Sequence, residues 1–399
     1  MNVAEQIVAQ LVDAGVHRIY GIVGDSLNPI VDAVRKTGGS AKGGIDWIHV
    51  RHEEAAAFAA SAEAQLTGKL AVCAGSCGPG NLHLINGLYD ANRTGAPVLA
   101  IASHIPSVQI GSTYFQETHP DRVFEECSVY NELISSAVQS PRTVNSAIRH
   151  AVGLGGVAVI TLPGDITDLK AVEHVPTYAP ARPATLTPNP ADIDEAAALL
   201  NKADKVAIFA GAGVEGAHDE VIALADALKA PIGHSLRGKH FIQYDNPFDV
   251  GMTGLLGYGA AAEGMNDADV LILLGTDFPY DQFLPDTPTI QVDTHAEKLG
   301  RRTDVGLAIH AQVKPFIEAL LPHLRAGRSD SFLKAKIKKH AEIMHAPVGA
   351  YTRNVEKMRP IHPEYAAHLL NETAAKDAIV TADTGMCNVW TARYIDPLG

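Results

Sequence analysis

The sequence predicts an α/β protein built of successive doubly wound parallel-sheet domains, and three observations carry that prediction. Short apolar runs of strand type alternate with helix-periodic stretches almost from the first residue, the pattern of parallel sheets covered by helices on both faces. Apolar residues make up 46% of the chain and charged residues 19%, which supplies large cores and excludes intrinsic disorder. At roughly 150 residues per domain, the 399 residues amount to two or three domains.

Composition narrows the class further. The 32 basic and 45 acidic residues leave a net charge of −13, which excludes a broad basic face for nucleic acid. No apolar run approaches the roughly 18–20 residues of a membrane-spanning helix. The start, Met1 to Gln6, lacks the basic and apolar regions of a signal peptide. Cys73, Cys77, Cys127 and Cys387 do not suggest a disulfide scaffold in so long a chain. A soluble, cytoplasmic enzyme is expected.

The elements follow in order. Apolar residues at helical spacing over 3–14 predict a helix that Gly15 ends, and 17–23 read as a buried strand leading into the turn Gly24-Asp25-Ser26. Residues 45–50 predict a strand, and the Ala-rich stretch 53–67 a helix closed by Gly68. A strand at 70–74, a Gly-rich turn and a helix near 82–92 come next, then strands at 97–103 and 157–162. Residues 171–193 are proline-rich and read as a stiff connector. A second α/β unit follows, with strands at 206–210, 232–235, 270–274 and 289–292 and a helix near 219–229. The Lys- and Arg-rich stretch 325–345 reads as a solvated helical bridge. A third pattern then begins, with a helix near 364–372, a strand at 378–381 and the loop Asp383-Thr384-Gly385.

Four groups of residues could carry chemistry. Arg51-His52-Glu53-Glu54 falls where a buried strand passes into a helix, the edge at which open α/β sheets bind ligands. A partly desolvated glutamate there can exchange protons near neutral pH, or the two glutamates can simply favour the helix N-terminus. Gly75-Ser76-Cys77-Gly78-Pro79-Gly80-Asn81 lets backbone approach a ligand closely, or makes only a tight strand-to-helix connection. Gly211-Ala212-Gly213-Val214-Glu215-Gly216 fits G-x-G-x-x-G, but the next strand ends in His234 and Ser235 rather than an acidic residue. A dinucleotide fingerprint is therefore incomplete, which counts against a plain Rossmann dehydrogenase. Phe115, Gln116 and Glu117, with Tyr114 and His119 nearby, read as a pocket lining or a packed loop.

Taken together, the stretches GIVGDSLN, RHEEAAAFAASAEAQL, AVCAGSCGPGNLHLINGLYD, GSTYFQETHP, YDNPFDVGMTGLLG and LGTDFPY resemble the thiamine-diphosphate-dependent enzymes of the acetohydroxyacid synthase and pyruvate oxidase superfamily. The resemblance runs along essentially the whole chain and is closest to the flavoprotein pyruvate oxidases that pass electrons to quinone. It implies a pyrimidine-binding domain over 1–180, a middle FAD-binding domain over 190–335 and the start of a truncated diphosphate-binding domain over 345–399. Glu53 aligns with the glutamate that hydrogen-bonds the aminopyrimidine ring and promotes its imino tautomer, with the turn Gly78, Pro79, Gly80 and Asn81 beside it. Phe115 and Gln116 align with residues near the reacting substrate. Thr253, Gly254, Leu255, Leu256, Thr276, Asp277, Phe278, Pro279, Tyr280 and Asp293 align with flavin-contacting positions, Asp293 reading otherwise as a helix cap.

The implied reaction is oxidative decarboxylation of pyruvate to acetate and carbon dioxide, with electrons passing through FAD to quinone. Thiamine diphosphate, FAD and Mg²⁺ are the implied cofactors. No Gly-Asp-Gly motif follows Asp383, so the Mg²⁺ ligands and the membrane-binding segment of the family are expected to be missing, leaving a chain inactive alone. A homodimer or homotetramer is implied, with peripheral membrane contact confined to full-length forms. An acetolactate synthase-like carboligase and a non-catalytic FAD-binding homologue are the alternatives.

Overall fold

The computed structural model describes residues 1–173 and 184–398. Residues 174–183, inside the expected proline-rich connector, lie outside the described residues. The chain forms two compact units, Met1–Arg182 and Pro183–Gly399.

The first unit is a six-stranded, all-parallel sheet. Its strands are β1 (Arg18–Gly21), β2 (Asp46–His49), β3 (Ala71–Gly75), β4 (Val98–His104), β5 (Tyr130–Leu133) and β6 (Val157–Pro163), in the order β2-β1-β3-β4-β6-β5. The helices are α1 (Val3–Asp13), α2 (Asn28–Lys36), α3 (Glu53–Thr67), α4 (Pro79–His83), α5 (Ile85–Thr94) and α6 (Ser140–Leu154). Strand side chains alternate between two cores, as the pleat requires. Val72, Ala74, Leu99 and Ile101 face α1, α2 and α6, whereas Ala71, Cys73, Val98 and Ala100 face α3 and α5.

Local chemistry sets the helix ends. Asn2 and Glu5 form a reciprocal capping box that starts α1, and Gly68, left-handed at φ +64°, closes α3. The alanines of α3 let α5 approach closely, and a side chain at Gly87 would come within 2.5 Å of the Ala57 Cβ.

The second unit is a seven-stranded sheet of β7 (Val206–Ala210), β8 (Ile232–His234), β9 (Asp249–Met252), β10 (Tyr258–Gly259), β11 (Val270–Leu274), β12 (Thr289–Asp293) and β13 (Leu307–His310). Their order is β10-β9-β8-β7-β11-β12-β13, parallel except for the β9–β10 pair. Helices α7 (Pro190–Lys202), α8 (His218–Leu228) and α9 (Val313–Leu320) cover the face of Ile208, Ile272 and Ile290.

Two expectations are corrected. The Lys-rich stretch is not solvated throughout: α10 (Ser331–Ile343) docks on the second unit through buried Phe332 and Leu333, and its buried Lys336 reaches Glu263 at 2.7 Å and Asp267 at 2.5 Å. Lysines at helical spacing carry long apolar stems, so a charged stretch can cover a core. Residues 378–381, expected as a strand, form none. They find no neighbour to complete a ladder, and Ile379 stays 93% exposed between α11 (Pro363–Thr373) and α12 (Met386–Tyr394).

Candidate active site

In the first unit, β1 pairs with β2 on one side and β3 on the other, so the chain's winding reverses there and the strands' carboxyl ends open a crevice. Three loops meet at that point. The loop after β1 supplies Ser26, whose hydroxyl lies 2.9 Å from the Ser76 hydroxyl and accepts the Cys77 amide at 3.0 Å. These bonds tie the first loop to the Gly-rich turn after β3. Gly24 must lack a side chain, because a Cβ there would sit 2.4 Å from the Ser76 Oγ.

Glu53 opens α3 on the third loop. His52 caps the helix by accepting the Glu54 amide on Nδ1 at 3.2 Å, which turns Glu53 inward. Glu53 is 8% exposed, far less than a residue serving only the helix dipole needs. Its Oε2 lies 3.0 Å from His83 Nδ1 on α4, while Oε1 has no hydrogen-bond partner among the described residues. Gly80 keeps the space beside that free oxygen, since a Cβ there would come 3.2 Å from Oε1. A buried carboxylate with one oxygen held and one open is built to accept a donor from a ligand.

The rest of the turn supports this arrangement. Pro79 occupies the first turn of α4, where its missing amide hydrogen costs nothing. Gly78 has φ +72°, and a side chain there would collide with Gln116, which is itself left-handed at φ +64°. Gln116 accepts a weak bond from the Cys77 thiol at 3.6 Å, so it joins the turn. Asn81 is fully buried, donates to the Ser103 carbonyl and leaves its own Oδ1 unpartnered. Phe115, in contrast, is 77% exposed and does not join the cluster.

His83 escaped sequence reasoning, although its place three residues after Gly80 was a signal, whereas His52 belongs to the Arg51–Glu54 group read from the sequence. Their rings stack with centroids 4.3 Å apart and planes at 26°. The ligand atoms of His52, Glu53 and His83 fall within 4.8 Å of one another. His52 Nδ1 already accepts the Glu54 amide and His83 Nδ1 already meets Glu53 Oε2, which suits a hydrogen-bonded cluster better than a metal centre.

In the second unit, winding reverses between β7 and β11. The G-x-G turn meets the loop after β11 backbone to backbone: a Cβ on Gly213 would lie 2.6 Å from the Gly275 Cα, and one on Gly211 would lie 2.5 Å from the Thr276 Cβ. These glycines serve close packing of two loops. Gly254 (φ +95°) packs under the Phe278 ring, which meets Tyr280 edge to face at 5.6 Å, so the 253–256 and 276–280 loops come together. Pro279 lies in the second of these loops and Leu255 is 63% exposed, whereas Leu256 packs beside Met252 and Tyr258. Asp277 is held by Arg301 and by Arg302 at 3.4 Å. Asp293 ends β12 and accepts the His295 amide at 2.9 Å.

Comparison with known proteins identifies the family. Residues 1–123 match the thiamine pyrophosphate enzyme N-terminal TPP binding domain, and residues 193–320 match the thiamine pyrophosphate enzyme central domain. An "Uncharacterized 42.6 kDa protein in isoamylase 3′ region" of Pseudomonas amyloderamosa is 54% identical over 337 residues, 84% of each chain. The "Putative thiamine pyrophosphate-containing protein YdaP" of Bacillus subtilis is 37% identical over 98% of this chain and 67% of its own length. Pyruvate oxidase of Lactiplantibacillus plantarum is 30% identical over 96% of this chain and 63% of its own. Acetolactate synthases match at 28–29% identity. The chain belongs to the thiamine-pyrophosphate-dependent enzymes, and it spans about two thirds of the length of YdaP and of the pyruvate oxidase.

The first unit fits that cofactor. Glu53 Oε1 is free, and Gly80 leaves an open cradle beside it. Among the described residues no helix is long and apolar enough to cross a membrane.

Proposed function

We propose that this chain carries the pyrimidine-binding and flavin-binding parts of a pyruvate:quinone oxidoreductase. In this reading pyruvate, water and an oxidised acceptor give acetate, carbon dioxide and the acceptor reduced by two electrons. The single observation that carries the proposal is Glu53, buried with one oxygen held by His83 and the other open.

Bound thiamine diphosphate would supply a carbon nucleophile and an electron sink for decarboxylation. Glu53 would hold a proton at Oε1 and share it with the aminopyrimidine ring. His83 fixes Oε2, so the carboxylate cannot swing away, and the Ser26–Ser76–Cys77 bonds keep the crevice at a set width. Gln116 reaches the same turn and would border the reacting substrate, while Phe115 would do so only after moving inward.

FAD would lie along the carboxyl edge of the second sheet. Supporting this are the buried, unpartnered Thr253 hydroxyl, the facing loops that carry Phe278 and Tyr280, and the Asp293 carboxylate at a strand end. The Mg²⁺ that such a diphosphate requires is not assigned to residues of this chain. A homodimer or homotetramer, and contact with a membrane quinone, are part of the same proposal.

The identities to pyruvate oxidase and to acetolactate synthases are too close to separate oxidation from carboligation. The stretches GIVGDSLN and CGPGNLH favour the oxidase by resemblance. The test is a visible spectrum of the purified chain before and after anaerobic pyruvate with thiamine diphosphate and Mg²⁺. A yellow protein bleached by pyruvate supports the oxidase and overturns the expected inactivity of the chain alone, whereas a yellow protein that neither bleaches nor forms acetolactate supports the flavin-binding part without a diphosphate site. Acetolactate formed without bleaching supports the carboligase, and a colourless, folded protein removes FAD from the account.

A further inference from the structure

Residues of the second unit enclose a cavity of about 380 Å³ that shares no residue with the positions assigned above to thiamine diphosphate, flavin or substrate. The turn into β9 supplies Asp245 and Asp249, β10 supplies Tyr258, and the segment after α12 supplies Asp396. Met344 and Leu398 give it an apolar side.

Three carboxylates border this space, and among the described residues no Lys or Arg does. Asp245 and Asp396 are exposed at the rim, whereas the Asp249 side chain is only 12% exposed. Asp249 faces His234 Nε2 at 3.4 Å, but that ring supplies no cation. His234 donates from Nδ1 to the Ser235 carbonyl at 3.1 Å, and complete burial pushes its pKa down, so Nε2 turns a lone pair toward the carboxylate. Asp249 is left with the Gly251 amide at 3.1 Å and the Gln243 side chain at 3.5 Å. The Lys239 ammonium donates elsewhere, to Gln243 Oε1 and to Tyr258 Oη at 3.4 Å. A carboxylate drawn out of water without a cation is unfavourable. The same bonds leave a second group unmet. Because Gln243 Oε1 takes the ammonium, its Nε2 faces Tyr258 and donates to Oη at 3.1 Å. Tyr258 Oη thus accepts twice, and its own hydroxyl proton has no acceptor among the described residues, although the residue is only 6% exposed. The cavity therefore presents one O–H donor beside three anionic acceptors.

We propose that this cavity binds a small amino alcohol, its ammonium group held by Asp249 and Asp396, its hydroxyl oxygen accepting from Tyr258, and its apolar body against Met344 and Leu398. The ammonium gives the carboxylates charge-assisted bonds, and the hydroxyl oxygen meets the phenol proton. A simple amine leaves Tyr258 unmet, and an uncharged polyol leaves the carboxylates without a counter-charge. An amino acid brings a carboxylate of its own against three aspartates. The proposal stands apart from the thiamine diphosphate and flavin readings, since it uses none of their residues.

The test titrates phenylalaninol, as the probe, into the full chain by calorimetry. Hydrocinnamyl alcohol, phenethylamine and phenylalanine serve as its counterparts without the ammonium, without the hydroxyl and with a carboxylate in place of the hydroxyl carbon. Loss of the ammonium is expected to weaken binding about tenfold or more, and loss of the hydroxyl about threefold. Phenylalanine is expected to bind more weakly than phenethylamine. Asp249→Asn and Asp396→Asn are each expected to weaken phenylalaninol about tenfold and to leave hydrocinnamyl alcohol unchanged, while Tyr258→Phe abolishes the preference for phenylalaninol over phenethylamine. Thermal melting checks each fold, and Asp396 is exposed, so its variant carries the test even where Asp249→Asn fails to fold. Saturable phenylalaninol binding with this ligand order and these losses supports the site. Absence of saturable binding, equal binding of phenylalaninol and hydrocinnamyl alcohol, or binding unchanged in the folded aspartate variants overturns it. Phenethylamine binding as tight as phenylalaninol overturns the amino alcohol as the ligand class.

Discussion

Gly80→Ala separates folding from cofactor binding, because the two respond in opposite directions. Gly80 lies within α4, so an alanine there gains up to about 1 kcal/mol in helix propensity. Its Cβ would lie 3.2 Å from Glu53 Oε1 and 3.3 Å from the Ser76 Cβ, so both neighbours must give by a few tenths of an ångström without any backbone collision. The melting temperature is expected to stay level or rise by a few degrees at most. The same methyl group stands where a donor must approach Oε1. Losing one hydrogen bond to a charged group costs about 1.5–3 kcal/mol, or roughly 10- to 150-fold in affinity. Calorimetric titration with thiamine diphosphate and Mg²⁺, paired with thermal melting, reads both effects. A variant that folds as well as the parent and binds equally tightly would refute the assignment of Oε1 as the open acceptor.

His83→Ala frees the other oxygen of Glu53 and is expected to weaken thiamine diphosphate binding about tenfold, whereas His83→Asn, which retains a donor, recovers part of the loss; equal behaviour of the two in the same titration would remove His83 from the site. Lys239 is 8% exposed and donates to Gln243 Oε1 and Tyr258 Oη, and burial pushes its ammonium down to about 8 from 10.5. The folded chain then binds fewer protons than the unfolded chain between those values, so stability rises with pH from about 8 to 10.5, by at most about 3 kcal/mol. Lys239→Met is expected to stabilise the second unit at pH 7 by about 1–2 kcal/mol, after loss of the two hydrogen bonds, and to flatten that rise; denaturant melts across pH check both. Gly213→Ala forces a Cβ to within 2.6 Å of the Gly275 Cα and is expected to cost about 1–3 kcal/mol in stability, measured by urea unfolding with and without FAD.

Regular elements were legible where pattern and context agreed. Residues 53–67, 206–210 and 270–274 form the helix and strands their sequences predict, since continuous apolar runs and an alanine-rich stretch leave no competing conformation. β5 was not legible: Tyr130–Leu133 carries Asn131 and Glu132 on a sheet edge, where one side faces solvent and the apolar signal fades. β9 hides in the same way, because Gly251 and Asp249 interrupt its four residues. At the site, the Arg51–Glu54 and Gly75–Asn81 positions were readable from strand-to-helix junctions. The link between them was not, because His83 meets Glu53 across 30 residues of sequence and only the strand order brings them together. Gly211 and Gly213 match a phosphate-binding pattern, already incomplete in the sequence, for a physical reason. The same freedom that lets backbone approach a phosphate lets it approach another loop, and here Gly275 is the partner.

Titration of thiamine diphosphate with Mg²⁺ into the purified chain and into Glu53→Gln tests the central claim most directly. Glutamine keeps the shape of the side chain but has neither the carboxylate charge nor a carboxyl oxygen that can exchange a proton with the ring, so the account predicts saturable binding by the parent, at least about tenfold weaker binding by the variant, and unchanged melting of both. Equal binding by the two proteins would contradict it.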